Sequence, residues 1–392
     1  MSATATVKAK AFLPFHKAAI GQEEMDGVME VLRSGWLTTG PRVREFESAF
    51  AAYVGAKHAL AVSSCTAALH LALLAIGIKE GDEVILPTMT FASTGEVILY
   101  LKARPVLVDC KKGSFQVDPD QIARAITPRT KAIIPVHFGG LPCDMDPILE
   151  IARTHQLKVI EDAAHALPTQ YKGTRIGTLG DITCFSFYAT KTLTTGEGGM
   201  ATTPHEEYAE KMRILHLHGI SRDAWKRYTA EGSWRYEILE TGYKYNMTDI
   251  QAAIGLAQLA KCDDMRVRRA QIATRYNESL RRLDGFRTPE ITSSLDNAWH
   301  LYVVRADSSA LRISRDRIVE ELKSRSIGTS VHFIPLHLHH LYREQGYREG
   351  QFVNAENHFE GAFSLPIFPG MTDEEVNQVI EALTEIHRVN MR

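Results

Sequence analysis

The stretch VIEDAAHALPTQYKGTRIGTLGDITCFSFYATKTLTTGEGGM, residues 159–200, decides how this chain reads. Two β-rich runs, Lys158–Ile160 and Ile182–Phe187, bracket it, with Asp162 at the end of the first and Lys191 in a glycine-bordered loop past the second. Similar runs recur upstream at His58–Val62, Glu83–Leu86, Pro105–Val108 and Lys131–Val136. Helical patterns separate most of them. Met25, Val28, Met29 and Leu32 keep helical spacing with Gly35 at the end, and Val43, Phe46, Phe50 and Tyr53 form a second stripe. Asp118-Pro119 and Asp146-Pro147 each read as an N-cap acid followed by a proline that opens a helix. Strands alternating with helices predict an α/β fold with a mostly parallel sheet, whose ligands bind beyond the carboxyl ends of the strands.

The alternation fades after Thr202. A helix is expected over Glu206–His216, then an aromatic segment ending GYKYNMTD, then one long helical pattern from Thr248 to about Leu283. The remainder, with a strand-like His300–Val304 and helices at Arg315–Ser324 and Asp373–Glu385, reads as a smaller α+β domain. We therefore expect an N-terminal arm and large domain over 1–265 and a small domain over 266–392.

The 392 residues carry 45 Lys+Arg against 47 Asp+Glu, and this near-neutral balance argues against a nucleic-acid-binding protein. The arginines Arg266, Arg268, Arg269, Arg275, Arg281 and Arg282 read as a solvated helix face. Cys65, Cys110, Cys143, Cys184 and Cys262 form no CxxC pair, so neither a disulfide framework nor a thiolate zinc site is expected. The N-terminal MSATATVKAKAFLPF lacks the apolar core of a secretory signal, and the longest apolar run, Leu71–Ile78, is too short to span a bilayer. These features point to a cytoplasmic protein with no membrane partner. VHFIPLHLHHLYRE holds His332, His337, His339 and His340, but no acid or cysteine at ligand spacing, so no metal site is expected.

Asp162 and Lys191 at neighbouring strand ends admit two readings. Single loop residues of these types are mostly just solvated. Together they are also what pyridoxal phosphate requires: a lysine to form the Schiff base, and a carboxylate to keep the pyridine nitrogen protonated so that the ring withdraws electrons.

The residues then resemble a family. SGWLTTGPRVREFE (34–47), VSSCTAALHLAL (62–73), GDEVILPTMTFAST (81–94), IEDAAHA, FSFYATK, GEGG (196–199) and GYKYNMTDIQAA (242–253) follow, in order, the DegT/DnrJ/EryC1/StrS sugar aminotransferases. The resemblance implies the type I aminotransferase fold, a mostly parallel seven-stranded sheet flanked by helices, and pyridoxal 5'-phosphate as cofactor. It implies that Lys191 is the catalytic Schiff-base lysine and proton carrier, and that Asp162 pairs with the pyridine nitrogen. His165 would lie near the ring's phenolic oxygen and Phe91 against its face. Thr66, Ala67 and Ser186 would hold the phosphate, the first two at a helix N-terminus. Asn246 would reach the partner subunit's cofactor phosphate, implying a homodimer with shared active sites. Lys244 and His332 would contact the substrate.

Two features depart from the family's commoner pattern. Cys65 stands where many members have glycine, a strained place if φ must be positive. The segment GYKYN replaces the more frequent GYNYR type. By resemblance, the reaction moves an amino group from L-glutamate to C4 of a nucleotide-linked keto sugar. The nucleotide is UDP, as in synthesis of 4-amino-4-deoxy-L-arabinose. An intact Lys191 argues against the family's sugar 3-dehydratases, which carry histidine there, and against a non-catalytic cofactor-binding regulator. An aminotransferase acting at C3, or on a keto-cyclitol, keeps every residue named.

Overall fold

The computed structural model describes residues 11–221, 236–289 and 297–392. Helices α1 (Gln22–Ser34) and α2 (Pro41–Val54) lead into strand β1 (His58–Val62). There follow α3 (Cys65–Ala75), β2 (Glu83–Pro87), α4 (Ala92–Tyr100), β3 (Arg104–Val108), α5 (Pro119–Ala125), β4 (Thr130–Ile133), α6 (Met145–His155) and β5 (Lys158–Asp162). A small hairpin, β6 (Gln170–Tyr171) and β7 (Thr174–Arg175), precedes β8 (Ile182–Ser186), β9 (Gly199–Thr203) and α7 (Glu206–Leu215).

Seven of these strands form one sheet in the order β1-β9-β8-β5-β4-β2-β3, and all run parallel except β9, which is antiparallel to both its neighbours. The carboxyl ends of β1, β2, β5 and β8 therefore share an edge, where the reversed β9 begins. Strand β9 is not among the runs expected from sequence: it opens on Gly-Met-Ala, which shows no strand preference, and with both its faces buried it has no apolar–polar alternation. Helix α2 buries Val43, Phe46, Phe50 and Val54, with the Phe46 and Phe50 rings against Phe185 and Phe187. Helix α6 starts earlier than Asp146-Pro147 suggests, with Asp144 as N-cap. Proline is tolerated in this first turn because N–H groups there have no intrahelical partner.

The expected long helix after Thr248 is two helices, α8 (Asp249–Ala260) and α9 (Cys262–Leu280), divided at Lys261. The Cys262 side chain packs in the core around Phe46, while Ile272, Tyr276 and Leu280 pack in a second core with Tyr302, Phe363 and Leu383. Beyond α9 come β10 (Phe286–Arg287), β11 (Tyr302–Ala306), α10 (Arg315–Ser324), α11 (His340–Glu344), α12 (Val353–Gly361), β12 (Ala362–Leu365) and α13 (Asp373–Asn390). Strands β10, β11 and β12 make an antiparallel sheet, and Leu13 of the N-terminal arm joins its core. Arg269 is no solvated helix residue: it is 1% exposed and donates to the carbonyls of Ile367 and Trp299 at 2.6 and 3.3 Å. Among the described residues no helix is long and apolar enough to cross a membrane.

The two sheets are locked by polar contacts as well as a shared apolar cluster. The Asp109 carboxylate accepts from the N–H groups of Asn354 and Ala355, both at 2.9 Å, and Thr88 Oγ1 lies 2.7 Å from His337 Nδ1. His337 Nε2 in turn meets Glu356 at 2.9 Å, so this histidine is used in packing. The segment around His332 is thereby held over the carboxyl edge of the large sheet.

One close approach shapes that edge. A Cβ on Gly199 would lie 2.5 Å from the Ser64 carbonyl carbon and 2.6 Å from the Cys65 nitrogen, both backbone atoms. Gly199→Ala should therefore force β9 and the start of α3 apart. The expected loss is about 1–3 kcal/mol in urea unfolding; an unchanged midpoint would show that the two segments give way freely.

Candidate active site

The carboxyl edge opens on a cavity of about 470 Å³, lined among others by Cys65, Thr66, Phe91, Asp162, His165, Ser186, Lys191 and His332. Of the residues singled out from sequence, these line one space. Ala67, Lys244 and Asn246 do not. Ala67 is buried, and its N–H already donates to the Ser64 Oγ cap at 3.1 Å. Lys244 is exposed, and Asn246 Nδ2 donates to Thr39 Oγ1 at 2.7 Å.

Asp162 closes β5, where backbone pairing with the segment after β4 fixes it: its N–H donates to Pro135 and its carbonyl accepts from His137. Its carboxylate accepts from Thr94 Oγ1 at 2.8 Å and from the Ala164 N–H at 3.1 Å. Thr94 spends its one hydroxyl proton on Asp162, so at the 2.8 Å contact between the two hydroxyls Thr90 is the donor. Burial raises the carboxyl's pKa, against the opposing pull of Thr94, Ala164 and the Lys191 charge. Thr94 escaped the sequence reading although it lies inside GDEVILPTMTFAST. Its only signal there is a hydroxyl in the first turn of the helix that follows the strand.

Lys191 sits in the turn between β8 and β9, its N–H donating to the Tyr188 carbonyl. Burial lowers its ammonium to about 8, while the Cys65 and Asp162 groups pull the other way. A neutral, nucleophilic amine is therefore accessible near physiological pH.

A phosphate has a cradle beside it. Ser64 caps α3, leaving the N–H groups of Cys65 and Thr66 without a backbone acceptor among the described residues, at the positive end of the helix. Ser186 adds a hydroxyl from β8. Cys65 is the first residue of α3 and is absent from the positive-φ positions, so the feared strain does not arise. Its Sγ points at the Cys184 carbonyl, 3.6 Å away.

The opposite wall is made of imidazoles. The Gly139 N–H donates to His165 Nδ1 at 3.2 Å, which places the proton of neutral His165 on Nε2. His300 lies against it with ring centroids 4.4 Å apart, and Phe333 stacks at 5.9 Å. Burial first, and the Lys191 charge next, push His165 well below its ordinary pKa; burial, His165 and Lys191 do the same to His300. His332 falls to about 4, chiefly through burial and then Lys191. Phe91 faces the opening at 58% exposure, its ring 5.6 Å from that of Phe333. Sequence reading missed His300, Ser330, Phe333 and Tyr188 in this wall because no local pattern sets them apart.

These groups fit pyridoxal phosphate one by one: a buried carboxylate with no ion-pair partner among the described residues, a depressed lysine, and a backbone cradle for an anion. An amine of this kind facing such a carboxylate is the chemistry of a pyridoxal-phosphate enzyme. The chain belongs to the DegT/DnrJ/EryC1/StrS aminotransferase family, whose model matches residues 18–384. It is 56% identical over 96% of its length to an uncharacterized protein of Methanocaldococcus jannaschii, MJ1066, covering 98% of that protein. It is 52% identical to the spore coat polysaccharide biosynthesis protein SpsC of Bacillus subtilis, covering 96% of this chain and 97% of that one. The pyridoxal-phosphate form of Spr1654 from Streptococcus pneumoniae, a putative sugar aminotransferase, superposes with a TM-score of 0.90 at 34% identity, covering 96% of this chain and 99% of that one. The chain is thus a pyridoxal-phosphate-dependent transaminase of the sugar aminotransferase type.

Two measurements check the electrostatics. Uptake of pyridoxal phosphate by the apoprotein should quicken with pH and level off above about 8, since only deprotonated Lys191 reacts. A rate that stays flat between pH 6 and 9 would contradict this. Thr94→Val should weaken cofactor retention about tenfold, the equivalent of one charge-assisted hydrogen bond, in equilibrium dialysis; unchanged retention would show that Thr94 does not support the charged Asp162.

Proposed function

We propose that this enzyme transfers an amino group from L-glutamate to C4 of a UDP-linked 4-keto sugar, releasing 2-oxoglutarate and a 4-amino sugar. The observation that carries the reading is the shared cavity of Lys191, Asp162, His165 and His332. The name of the Bacillus subtilis relative, a polysaccharide biosynthesis protein, supports a sugar acceptor. The GYKYN segment supports amination at C4 by family resemblance.

When bound, pyridoxal phosphate supplies an electron sink that lets the carbon carrying the amino group lose its proton. Asp162 holds a proton on the pyridine nitrogen and so maintains that sink. Lys191 Nζ, the group that would hold the cofactor, would take the proton from the donor carbon and deliver it to the carbon at the other end of the transfer. His165 would offer Nε2–H to the ring's phenolic oxygen. The N–H groups of Cys65 and Thr66 and the Ser186 hydroxyl would hold the phosphate, and Phe91 would lie against the ring. In the second half the same groups run these steps in reverse on the keto sugar.

The enzyme works, in this proposal, as a homodimer in which Asn246 reaches the partner's phosphate site and Lys244 the substrate. Supporting it, α1 turns Met25, Met29 and Leu32 outward at 50, 44 and 47% exposure, an apolar face that α8 leaves uncovered. Only Glu24 and Val31 of α1 are buried. We place the enzyme in the cytoplasm, which suits its five free, buried cysteines.

Incubation with L-glutamate and a panel of UDP-, dTDP- and GDP-linked 4-keto sugars, with products identified by mass spectrometry and NMR, tests the substrate. A C4-amino UDP-sugar is expected; amination at C3, or turnover of keto-cyclitols alone, overturns it. Subunit sharing is tested by mixing inactive Lys191→Ala and Asn246→Ala proteins. If Asn246 serves the other subunit, each hybrid dimer has one intact site, and the equimolar mixture regains about a quarter of wild-type activity by random pairing. No recovery would place Asn246 in its own chain's site.

A further inference from the structure

His332 lines the cavity, yet its orientation is set from outside by a residue that no sequence motif marks. Ser364 lies in β12, completely buried, and its Oγ is 2.8 Å from His332 Nδ1. The backbone makes this meeting possible. Ser330 and Ser364 pair as an antiparallel bridge, their N–H groups donating to each other's carbonyls at 3.2 and 2.7 Å. His332, two residues on from Ser330, comes to the same side of this extended segment, within reach of the Ser364 hydroxyl.

The direction of the hydrogen bond follows from the proton count. His332 Nδ1 is the hydrogen-bond partner of the Ser364 hydroxyl among the described residues. If Nδ1–H donated, the serine proton would be left in a fully buried place with no acceptor, at a cost of about 1–3 kcal/mol. The satisfied arrangement has Ser364 O–H donating to Nδ1. The single proton of neutral His332 then stands on Nε2.

We infer that Ser364 is a positioning residue that fixes His332 as a neutral Nε2–H donor, and that His332 therefore binds an acceptor oxygen of the substrate, a carbonyl or carboxylate oxygen. This rests on the proposal that His332 contacts the substrate. His165 is built the same way, with the Gly139 N–H in the part of Ser364. The two imidazoles thus present donors, not acceptors, beside an amine that is itself a donor. Protonating His332 would require a proton on Nδ1 and would turn the Ser364 hydroxyl away. The buried position and the neighbouring Lys191 oppose that protonation further.

The test uses the full-length, cofactor-loaded enzyme. In 15N-histidine-labelled protein, with the His332 signals assigned through His332→Gln, long-range 1H–15N spectra should show the Nε2-protonated tautomer. In Ser364→Ala the two tautomers should mix. In the same variant, kcat/KM should fall about tenfold in one half-reaction, with the melting temperature unchanged. Ser364→Thr, which keeps the hydroxyl, should restore it. A loss confined to reaction with L-glutamate assigns the bound oxygen to the donor's carboxylate; a loss confined to amination of the keto sugar assigns it to the sugar. Adding Ser364→Ala to His332→Gln should cost nothing more. The inference falls if the wild-type tautomer is Nδ1-protonated, if Ser364→Ala leaves tautomer and kinetics unchanged, or if it costs as much without His332. Should His332→Gln leave both half-reactions intact while the tautomer still depends on Ser364, the substrate contact fails and the orienting bond stands.

Discussion

A carboxylate buried at the end of a central parallel strand, with no ion-pair partner among the described residues, is the constraint around which this active site is arranged. Taking an ionised Asp out of water costs several kcal/mol unless hydrogen bonds or an opposite charge compensate. Thr94 and the Ala164 N–H supply part of that compensation, and the remaining deficit shows in the raised pKa of Asp162. In the proposed enzyme a protonated pyridine nitrogen would supply the rest. The same deficit would then favour the cofactor's electron-withdrawing form, so the cost of burial and the proposed catalytic use of the residue have one origin.

Lys191 obeys the complementary constraint. It must be basic enough to carry a proton and uncharged enough to attack a carbonyl, and burial lowers it to about 8. A second cation nearby would lower it further and would repel the developing positive charge during exchange. The facing wall avoids this by using imidazoles kept neutral. His165, His300 and His332 are all held below their ordinary range by burial together with the Lys191 charge. Anchoring Nδ1 of His165 and of His332 on a donor gives each ring one defined proton. The wall then provides directed hydrogen bonds without adding charge.

Much of this was legible in the chain because strand ends are legible. β1, β2, β5 and β8 were recognised from short apolar runs, and in a parallel sheet those runs locate the edge where ligands bind. Asp162, Lys191, Phe91, Thr66 and Ser186 follow from that edge and from family resemblance. What escaped depends on long-range pairing. β9 opens on Gly-Met-Ala with no strand signal, yet it is made a strand by β1 and β8 on either side. The α8–α9 break at Lys261 lies inside an unbroken helical pattern, since each half packs on a different core. Ser364 lies 32 residues from His332, and only the pairing of Ser330 with Ser364 brings them together.

Composition takes on a different meaning at this scale. Near-zero net charge describes the whole chain, while the proposed site for the cofactor phosphate is made of backbone N–H groups at one helix end. Such a site needs no excess of lysine or arginine, because the helix dipole and unpaired amides supply the positive potential. It does need close backbone approach. Gly199 lets β9 pass within contact of Ser64 and Cys65, and a side chain there would occupy the space that the turn itself fills. The larger side chain at position 65 is accepted because it points away, toward the Cys184 carbonyl. A side chain is thus excluded at Gly199 and accommodated at Cys65, although the two are in contact, because only one of them turns its Cβ toward its neighbour's backbone.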